Sequence, residues 1–293
     1  MPFLHANRLR IAYDEFGQRT DPPLLLIMGL GAQMIFWRDD FCRGLAQRGL
    51  RVIRFDNRDV GASTHFDSAG MPNVMLIATA AATGQPAQAP YLLRDMADDT
   101  AGVLDALDID RAHIVGTSMG GMIAQTLAIH HPARVRSLTS IMSHTGSPSL
   151  PPPRPEVLAV VLAPQPTTRE EAIERGVLTY RTIGSPGFPF DEPEVRDVVT
   201  RAYERGYDPA GTARQLAAIL ASGSRVEALR RLDVPTLVVH GREDPLVAFS
   251  GGEETAATIP GAEFLPIAGM GHDMPRGIWP QLIERIAALA ARA

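Results

Sequence analysis

One serine of the chain stands in a pattern that suits nucleophilic catalysis. Ser118 is the centre of Gly116-Thr117-Ser118-Met119-Gly120, which matches G-x-S-x-G and lies between a predicted strand and a predicted helix. A sharp turn from strand to helix points the serine hydroxyl outward, and the flanking glycines remove side chains that would clash there. The alternative interpretation is a glycine-bearing turn with a capping serine, because short patterns of this kind also arise by chance.

A serine hydroxyl is a poor nucleophile unless a base removes its proton and an acid orients that base. Asp244 follows the predicted strand at residues 235–240, and His272 follows the predicted strand at residues 263–267 through a glycine-rich turn. Serine, acid and histidine in this chain order, each after a strand, form a known arrangement of a hydrolytic triad. The sequence therefore predicts Ser118 as nucleophile, His272 as base and Asp244 as the orienting acid.

Three other acids lie close enough along the chain to compete with Asp244. Glu243 and Asp233 belong to the same stretch, and Asp273 adjoins the histidine itself. Asp273 would have to fold back on its neighbour, and Glu243 fits a solvated loop acid. We therefore expect Asp244 to orient His272.

Among the eight histidines, only His272 lies in a glycine-rich turn after a late strand. His144 and His240 both fall at predicted strand ends near the candidate site. We expect a structural role for His240, whereas His144 fits pocket lining and a structural role equally well. The others are expected to be structural or to lie at the surface: His5, His65, His113, His130 and His131.

Acyl transfer also needs amide donors that stabilise the oxyanion of the tetrahedral intermediate. The first expected donor is the backbone N–H of Met119, directly after the serine. The second is the backbone N–H of Leu30, because the glycines of Met28-Gly29-Leu30-Gly31 allow close backbone approach; an ordinary glycine turn is the alternative. No histidine or cysteine cluster has metal-ligand spacing, and neither a dinucleotide fingerprint nor a phosphate loop is present. We expect no metal and no cofactor.

The elements that must position these residues alternate between short apolar runs and longer periodic segments. This alternation is typical of repeated βα units around a mainly parallel sheet, so an α/β fold is predicted. Helices are predicted from near Gly120 to the residue before Pro132 and at four other places, residues 95–107, 170–180, 194–203 and 281–292. Residues 80–90 are predicted as a loop of small residues. Strands are predicted at residues 9–13, 24–28, 52–55, 113–115, 135–142, 235–240 and 263–267.

The character of the chain changes over residues 143–226, which we call the cap segment. Several prolines open it, helix-like stretches follow, and no strand is predicted there. We expect it to be a helical insertion into an α/β core formed by residues 1–142 and 227–293. We also expect it to cover Ser118 and to set substrate preference, although its apolar residues would alternatively serve only to pack it onto the core. The candidates for lining the substrate pocket are Gly29, Met142, His144, Leu162 and Leu220.

Composition and charge limit the kinds of molecule that the protein is expected to bind. The 293 residues carry a formal net charge of -5, which argues against a dedicated nucleic-acid binder. No stretch approaches the roughly 20 consecutive apolar residues that a membrane helix needs, and Arg8 and Arg10 interrupt any apolar run at the N-terminus. We therefore expect a cytoplasmic protein with no membrane partner. The only cysteine, Cys42, has no partner for a disulfide and is expected to be buried.

With these residues identified, the sequence resembles the α/β-hydrolase superfamily, and within it small-molecule serine esterases of the aclacinomycin methylesterase type. The resemblance rests on residues 56–63 and 111–120 and on Gly269-Met270-Gly271-His272, and it extends over nearly the whole chain outside the cap segment. It implies hydrolysis of a small-molecule carboxylic ester, with Ser118, Asp244 and His272 in the roles described above. One departure is Met28, where many relatives have histidine, so the support of the oxyanion loop is expected to differ.

Three rival functions share this arrangement of residues. A cofactor-free perhydrolase or haloperoxidase, and a hydrolase of carbon–carbon bonds, would both use the same triad. A non-catalytic ligand receptor would keep the fold and use the pocket for binding alone. A dehalogenase or an epoxide hydrolase is disfavoured, because such enzymes place aspartate where this chain has Ser118.

Overall fold

The structure is a computed structural model, and it describes residues 2–85, 87–161, 163 and 166–293. Its described residues form one eight-stranded, mostly parallel sheet flanked by helices, which confirms the predicted α/β class. The strands are β1 Phe3–Ala6, β2 Leu9–Phe16, β3 Pro23–Ile27, β4 Arg51–Phe55, β5 Ala112–Thr117, β6 Val135–Ile141, β7 Thr236–Gly241 and β8 Glu263–Ile267. The helices are α1 Asp39–Ala46, α2 Val74–Ala82, α3 Leu93–Ala106, α4 Met119–His130, α5 Pro155–Val161, α6 Arg169–Ile183, α7 Glu192–Arg205, α8 Pro209–Ser222, α9 Val226–Leu229, α10 Phe249–Thr258 and α11 Trp279–Ala290.

The sheet brings the ends of its parallel strands to one edge. Its order is β1-β2-β4-β3-β5-β6-β7-β8. The β1–β2 and β2–β4 pairs are antiparallel, and every later pair is parallel. In open sheets of this kind, ligands bind outside the carboxyl ends of the strands. The segments that follow β5, β7 and β8 therefore meet at the edge where a site is expected.

The sheet is covered by apolar side chains on both faces. In β3, Leu25 and Ile27 pack into one core cluster with α3 and α4, whereas Leu24 and Leu26 pack into a second cluster with α1 and α11. Successive residues of a strand point to opposite faces, so a strand covered on both sides reads as an unbroken apolar run. That is why these strands were predictable as short runs without polar alternation.

Several described elements were not predicted, α5, α8 and α9 among them, and for three others the sequence shows why. The first strand, β1, has only four residues, which is too short for its alternating pattern to stand out. Helix α2 is apolar on all sides and so shows no helical periodicity, and it extends into the stretch predicted as a loop from residue 80. Helix α10 is rich in glycine, alanine and threonine, which gives it only a weak apolar stripe.

Between β6 and β7 the described residues form helices and no strand. Helix α6 packs against both α5 and α7, while α8 packs against α2 and α3 of the core. The last of these helices, α9, begins at Val226, the final residue of the cap segment. Among the described helices, none combines the length and the hydropathy that crossing a bilayer requires.

Candidate active site

Ser118 occupies a strained turn between β5 and α4. Its backbone lies in the left-handed region, with φ 54° and ψ −122°, where a residue with a side chain costs on the order of 1–3 kcal/mol unless its surroundings fix it. Those surroundings are hydrogen bonds: the Ser118 N–H donates to the carbonyl of Ile141 at 2.9 Å, and the Ser118 carbonyl accepts from the N–H of Gly121 at 2.9 Å. The turn is held by the neighbouring strand and by the first turn of the helix.

The glycines on either side of the turn are required by close backbone packing. A Cβ added to Gly116 would overlap the carbonyl oxygen of Gly120, and one added to Gly120 would overlap the carbonyl oxygen of Ile27 in β3. The helix therefore sits directly on its own strand and on the next one. This close approach explains in physical terms why the pattern G-x-S-x-G predicts the turn.

The structure brings the three predicted catalytic residues into one chain of hydrogen bonds. The Nε2 atom of His272 lies 3.0 Å from the Ser118 hydroxyl, and its Nδ1 atom lies 2.7 Å from Oδ2 of Asp244. In the neutral imidazole with its proton on Nδ1, that N–H donates to Asp244 and Nε2 accepts from Ser118. This is the geometry that lets a histidine take a serine proton.

Asp244 is buried and well supplied with donors. Its Oδ1 atom accepts from the backbone N–H groups of Leu246, at 2.9 Å, and Val247, at 2.8 Å. Nε2 of the buried His240 lies 2.9 Å from the Val247 carbonyl and 3.4 Å from Oδ2 of Asp244. Burial alone would raise the pKa of Asp244. The charge of His272 and the hydrogen bonds from His240 and His272 outweigh burial and hold this pKa well below its usual range.

The rival acids have other partners or positions. Glu243 accepts a hydrogen bond from the backbone N–H of Gly269 at 2.7 Å, so it supports the loop before His272 instead of standing free in solvent. Asp273 accepts a hydrogen bond from the hydroxyl of Ser185 in the cap segment. Asp233 is exposed.

The predicted oxyanion loop passes directly over the serine. A Cβ added to Gly29 would lie 3.1 Å from Cβ of Ser118, so a side chain here would crowd the serine. The Asn57 side-chain amide donates to the Met28 carbonyl at 3.0 Å, and the Gly31 N–H donates to Gln215 Oε1 at 2.8 Å. These two bonds fix the loop on both sides of Leu30.

The other expected donor, Met119, is the first residue of α4. The first N–H groups of a helix have no acceptor within the helix, and the helix dipole favours negative charge at that end. Met119 thus directly follows Ser118 at the start of α4, and Leu30 follows Gly29, which lies against Ser118, on the loop after β3.

A cavity of about 310 Å³ opens at Ser118 and His272. It includes Gly29 and Met142 in its lining, as expected, and Leu30 also contributes. Its wall is largely apolar and aromatic, and a substantial share comes from α6 and α7. The cap-segment residues in the lining are Thr179, Tyr180, Ile183, Pro189, Phe190, Asp191, Glu194, Val195 and Val198.

Two of the predicted pocket residues do not belong to this lining. His144 forms its own turn, with Nδ1 accepting from the Gly146 N–H at 2.9 Å, and burial together with the nearby charge of Arg225 lowers its pKa to about 4. Leu220 lies eight residues beyond Thr212, the part of α8 near the oxyanion loop, which is about 12 Å along a helix. Leu162 lies outside the described residues.

An ion-pair cluster ties α8 to the core. The ligand atoms of Asp59, His65 and Asp208 lie within 4.8 Å of one another, as metal ligands would. The Arg214 guanidinium lies among them, donating to both oxygens of Asp59 at 2.8 and 2.9 Å and to Asp208 at 3.1 Å. A fixed cation already balances these carboxylates, so the cluster reads as a structural network.

The fold and the site together define a class. The family described as the alpha/beta hydrolase fold matches residues 22–275, and the chain belongs to this family.

Comparison with known proteins shows which members of that family the chain is similar to. It is 31% identical to rhodomycin D methylesterase from Streptomyces sp. (strain C5), with 94% of this chain and 93% of the relative covered. It is 32% identical to 2-hydroxymuconate semialdehyde hydrolase from Pseudomonas sp. (strain CF600), over 71% of this chain and 69% of that protein. Among solved structures, the enol-lactonase from Burkholderia xenovorans LB400 superposes with a TM-score of 0.75 at 22% identity, covering 99% of this chain and 100% of the other; this likeness shows the fold.

Proposed function

We propose that this protein is a serine esterase that hydrolyses small-molecule carboxylic esters through an acyl-enzyme intermediate. Ser118 is the nucleophile, His272 the general base and acid, and Asp244 the acid that orients the imidazole. The observation that carries the proposal is the unbroken hydrogen-bond chain from Ser118 through His272 to the ionised, buried Asp244, at the floor of a cavity.

The geometry supports a two-stage reaction. The Ser118 oxygen attacks the ester carbonyl while Nε2 of His272 takes its proton, and the backbone N–H groups of Leu30 and Met119 stabilise the oxyanion. The intermediate then collapses, and His272 returns the proton to the departing alcohol. In the second stage His272 activates a water that attacks the acyl carbonyl, which releases the acid and restores the serine hydroxyl.

The cavity and the relatives support a substrate class. An apolar wall with few polar groups suits an acyl portion with a large apolar surface, and about 310 Å³ is at the small end of ligand pockets. A relative 31% identical to this chain is a methylesterase, so we propose methyl esters, whose alcohol portion needs little room. The cap segment supplies one wall through Ile183, Phe190 and Val198, which supports its role as a cap.

The test is turnover of an ester panel by matched serine variants. We expect wild-type protein to hydrolyse p-nitrophenyl acetate and aromatic methyl esters, and Ser118→Ala to lose on the order of a thousandfold or more of kcat with its fold intact. Ser143→Ala is the control, because this buried hydroxyl packs against α4 and has no hydrogen-bond partner within the described residues. Near wild-type turnover by Ser118→Ala would reject the assignment.

A second candidate reaction is the hydrolysis of a 2-hydroxymuconate semialdehyde, because a relative with that activity is 32% identical over 71% of the chain. The same triad would serve it. Including this compound in the panel separates the two candidates. A kcat/KM for the semialdehyde well above that for every ester would select the second.

A further inference from the structure

The loop that carries His272 has no regular structure of its own. This histidine loop, residues 268–275, follows β8 and contains neither helix nor strand. Part of it is held by the core: the Glu243 N–H donates to the Met270 carbonyl at 3.1 Å, and Gly269 donates to the Glu243 side chain. These backbone bonds hold the loop only before His272, and Asp244 orients the imidazole ring, so the backbone at His272 itself must be held by other contacts.

Further backbone contacts to the histidine loop come from the cap segment. We call residues 183–188, at the end of α6, the cap loop. The His272 N–H donates to the Ile183 carbonyl at 2.7 Å, and the Gly187 N–H donates to the Gly269 carbonyl at 2.9 Å. The two loops are thus joined by backbone bonds in both directions.

Their approach is as close as two backbones allow. A Cβ added to Gly271 would overlap the Gly184 carbonyl, and a Cβ added to Gly187 would overlap the Cα atom of Gly269. Glycine is required on both loops because no side chain fits between them. Such a contact transmits small displacements, since neither backbone has space to move independently.

One side chain, Ser185, bridges the residues on either side of His272. Its hydroxyl oxygen accepts from the Gly271 N–H at 2.9 Å, and its hydroxyl proton goes to the Asp273 carboxylate. Asp273 also lines the catalytic cavity next to His272. Without the Ser185 hydroxyl, Gly271 loses an acceptor and the Asp273 carboxylate keeps only the backbone N–H of Ser185, so it is held less firmly beside the imidazole, where it would compete with Asp244.

We propose that Ser185, a residue of the cap loop, is a positioning residue for His272: it fixes the histidine loop and keeps Asp273 turned away from the imidazole. This proposal rests on the proposed function. It makes the cap segment part of the catalytic arrangement as well as a wall of the substrate cavity.

The proposal predicts a loss in kcat with little change in KM. Misplacing a catalytic group by about 1 Å costs on the order of a hundredfold, so we expect Ser185→Ala to lower kcat by at least about tenfold while KM changes by less than about threefold. Ser185→Thr keeps the hydroxyl and should restore most of the rate. In an Asp273→Asn background the Ser185→Ala loss should be smaller, because there is no carboxylate to compete with Asp244.

The matched control is Thr168→Ala. Thr168 caps the start of α6 by accepting from the Glu171 N–H, and it lies some 22 Å along the helix from the cap loop. Its loss should lower the stability of the protein without changing kcat. A general weakening of the cap segment is thereby separated from the loss of the Ser185 bridge.

The decisive readout does not need turnover. Proton NMR of the low-field Nδ1–H resonance of His272 reports its hydrogen bond to Asp244 directly. We expect this resonance to move or broaden in Ser185→Ala and to stay in place in Thr168→Ala and Ser185→Thr. If Ser185→Ala keeps the wild-type resonance and kcat, or only matches Thr168→Ala, the proposal is wrong. If the wild type hydrolyses no ester, the proposed function fails, while the resonance still tests the bridge.

Discussion

The turn that carries Ser118 and the loop that carries His272 are held in place by different means. The Ser118 turn is fixed within the core sheet: Gly116 and Gly120 allow β5, α4 and β3 to touch, and β6 accepts the Ser118 N–H. The histidine loop is held partly by Glu243 of the core and partly by the cap loop, where the His272 N–H donates to the carbonyl of Ile183, 89 positions earlier in the sequence. One is a local motif, and the other is a product of tertiary packing.

Because of this difference, the two regions should respond to different substitutions. The Ser118 turn belongs to the core sheet, so substitutions elsewhere on the surface should not disturb it. The histidine loop depends on how the cap segment sits on the core, so changes in the cap segment reach the base as well as the substrate cavity. The following substitutions test this division, beginning with the largest expected effect.

Replacing Asp244, the acid that follows β7, should lower kcat more than any of the other substitutions below. Asp244→Asn removes the charge that orients and stabilises His272, and we expect kcat to fall by about a thousandfold to ten-thousandfold. Asp233→Asn is the control: it replaces an exposed acid just before β7 and should keep wild-type kcat. Steady-state kinetics on p-nitrophenyl acetate make the comparison. A small effect of Asp244→Asn would place the orienting acid elsewhere.

Removing the ion pair between α8 and the core should loosen the cap segment. Arg214 and Asp59 are both buried, and loss of one partner of such a pair costs about 3–5 kcal/mol. We expect Arg214→Met to lower the free energy of unfolding by about that amount in urea titrations. Arg201→Met, in an exposed pair with Asp197, should cost less than about 1 kcal/mol. Equal losses would show that the buried pair does not anchor α8.

The pH dependence should report a single ionisation. Because the pKa of Asp244 lies below its usual range, its carboxylate stays ionised and stabilises the fold above its unfolded pKa, a contribution lost only as pH falls toward the lower folded value. Asp244 should therefore add no step to the profile, and because only a neutral His272 accepts the Ser118 proton, kcat/KM should rise with pH through one step, about tenfold per pH unit on its acid side. A slope of two in the logarithmic plot would show that a second group titrates together with it.

The smallest effect concerns substrate preference. Val198 of α7 is buried and lines the cavity, so Val198→Ala should enlarge it. We expect the ratio of kcat/KM for p-nitrophenyl hexanoate over acetate to rise about three- to tenfold. Leu220→Ala is the control, because Leu220 is not in the cavity lining, and it should leave the ratio unchanged. The opposite pattern would place the acyl group under α8.

Most of the fold was predictable because its elements carry local signals. Strands buried on both faces read as apolar runs, and the β8 prediction matches Glu263–Ile267 residue for residue. Helix α2 was not predicted because its residues are apolar on every side, so its sequence shows no apolar stripe of helical spacing. A short edge strand such as β1 leaves too little pattern to distinguish it from the start of a loop.

The site residues that directly follow strands were predictable from the sequence. Ser118, Asp244 and His272 each come after a parallel strand, and parallel strands bring such residues to one edge. The role of Ser185 could not be found in the same way, because its partners lie more than eighty positions away and nothing in its local sequence marks them. The expectation for Leu220 shows the same limit, since an apolar residue on a helix does not reveal which neighbour it faces.

Covalent labelling tests the central claim most directly. A fluorophosphonate reacts with a serine only when a base activates it, so labelling depends on both Ser118 and His272. Wild-type protein is labelled, digested and mapped by peptide mass spectrometry, alongside Ser118→Ala and Ser143→Ala. We predict a single adduct on Ser118 in the wild type and in Ser143→Ala, and none in Ser118→Ala. An adduct on another residue, or labelling of Ser118→Ala at the wild-type rate, would contradict it.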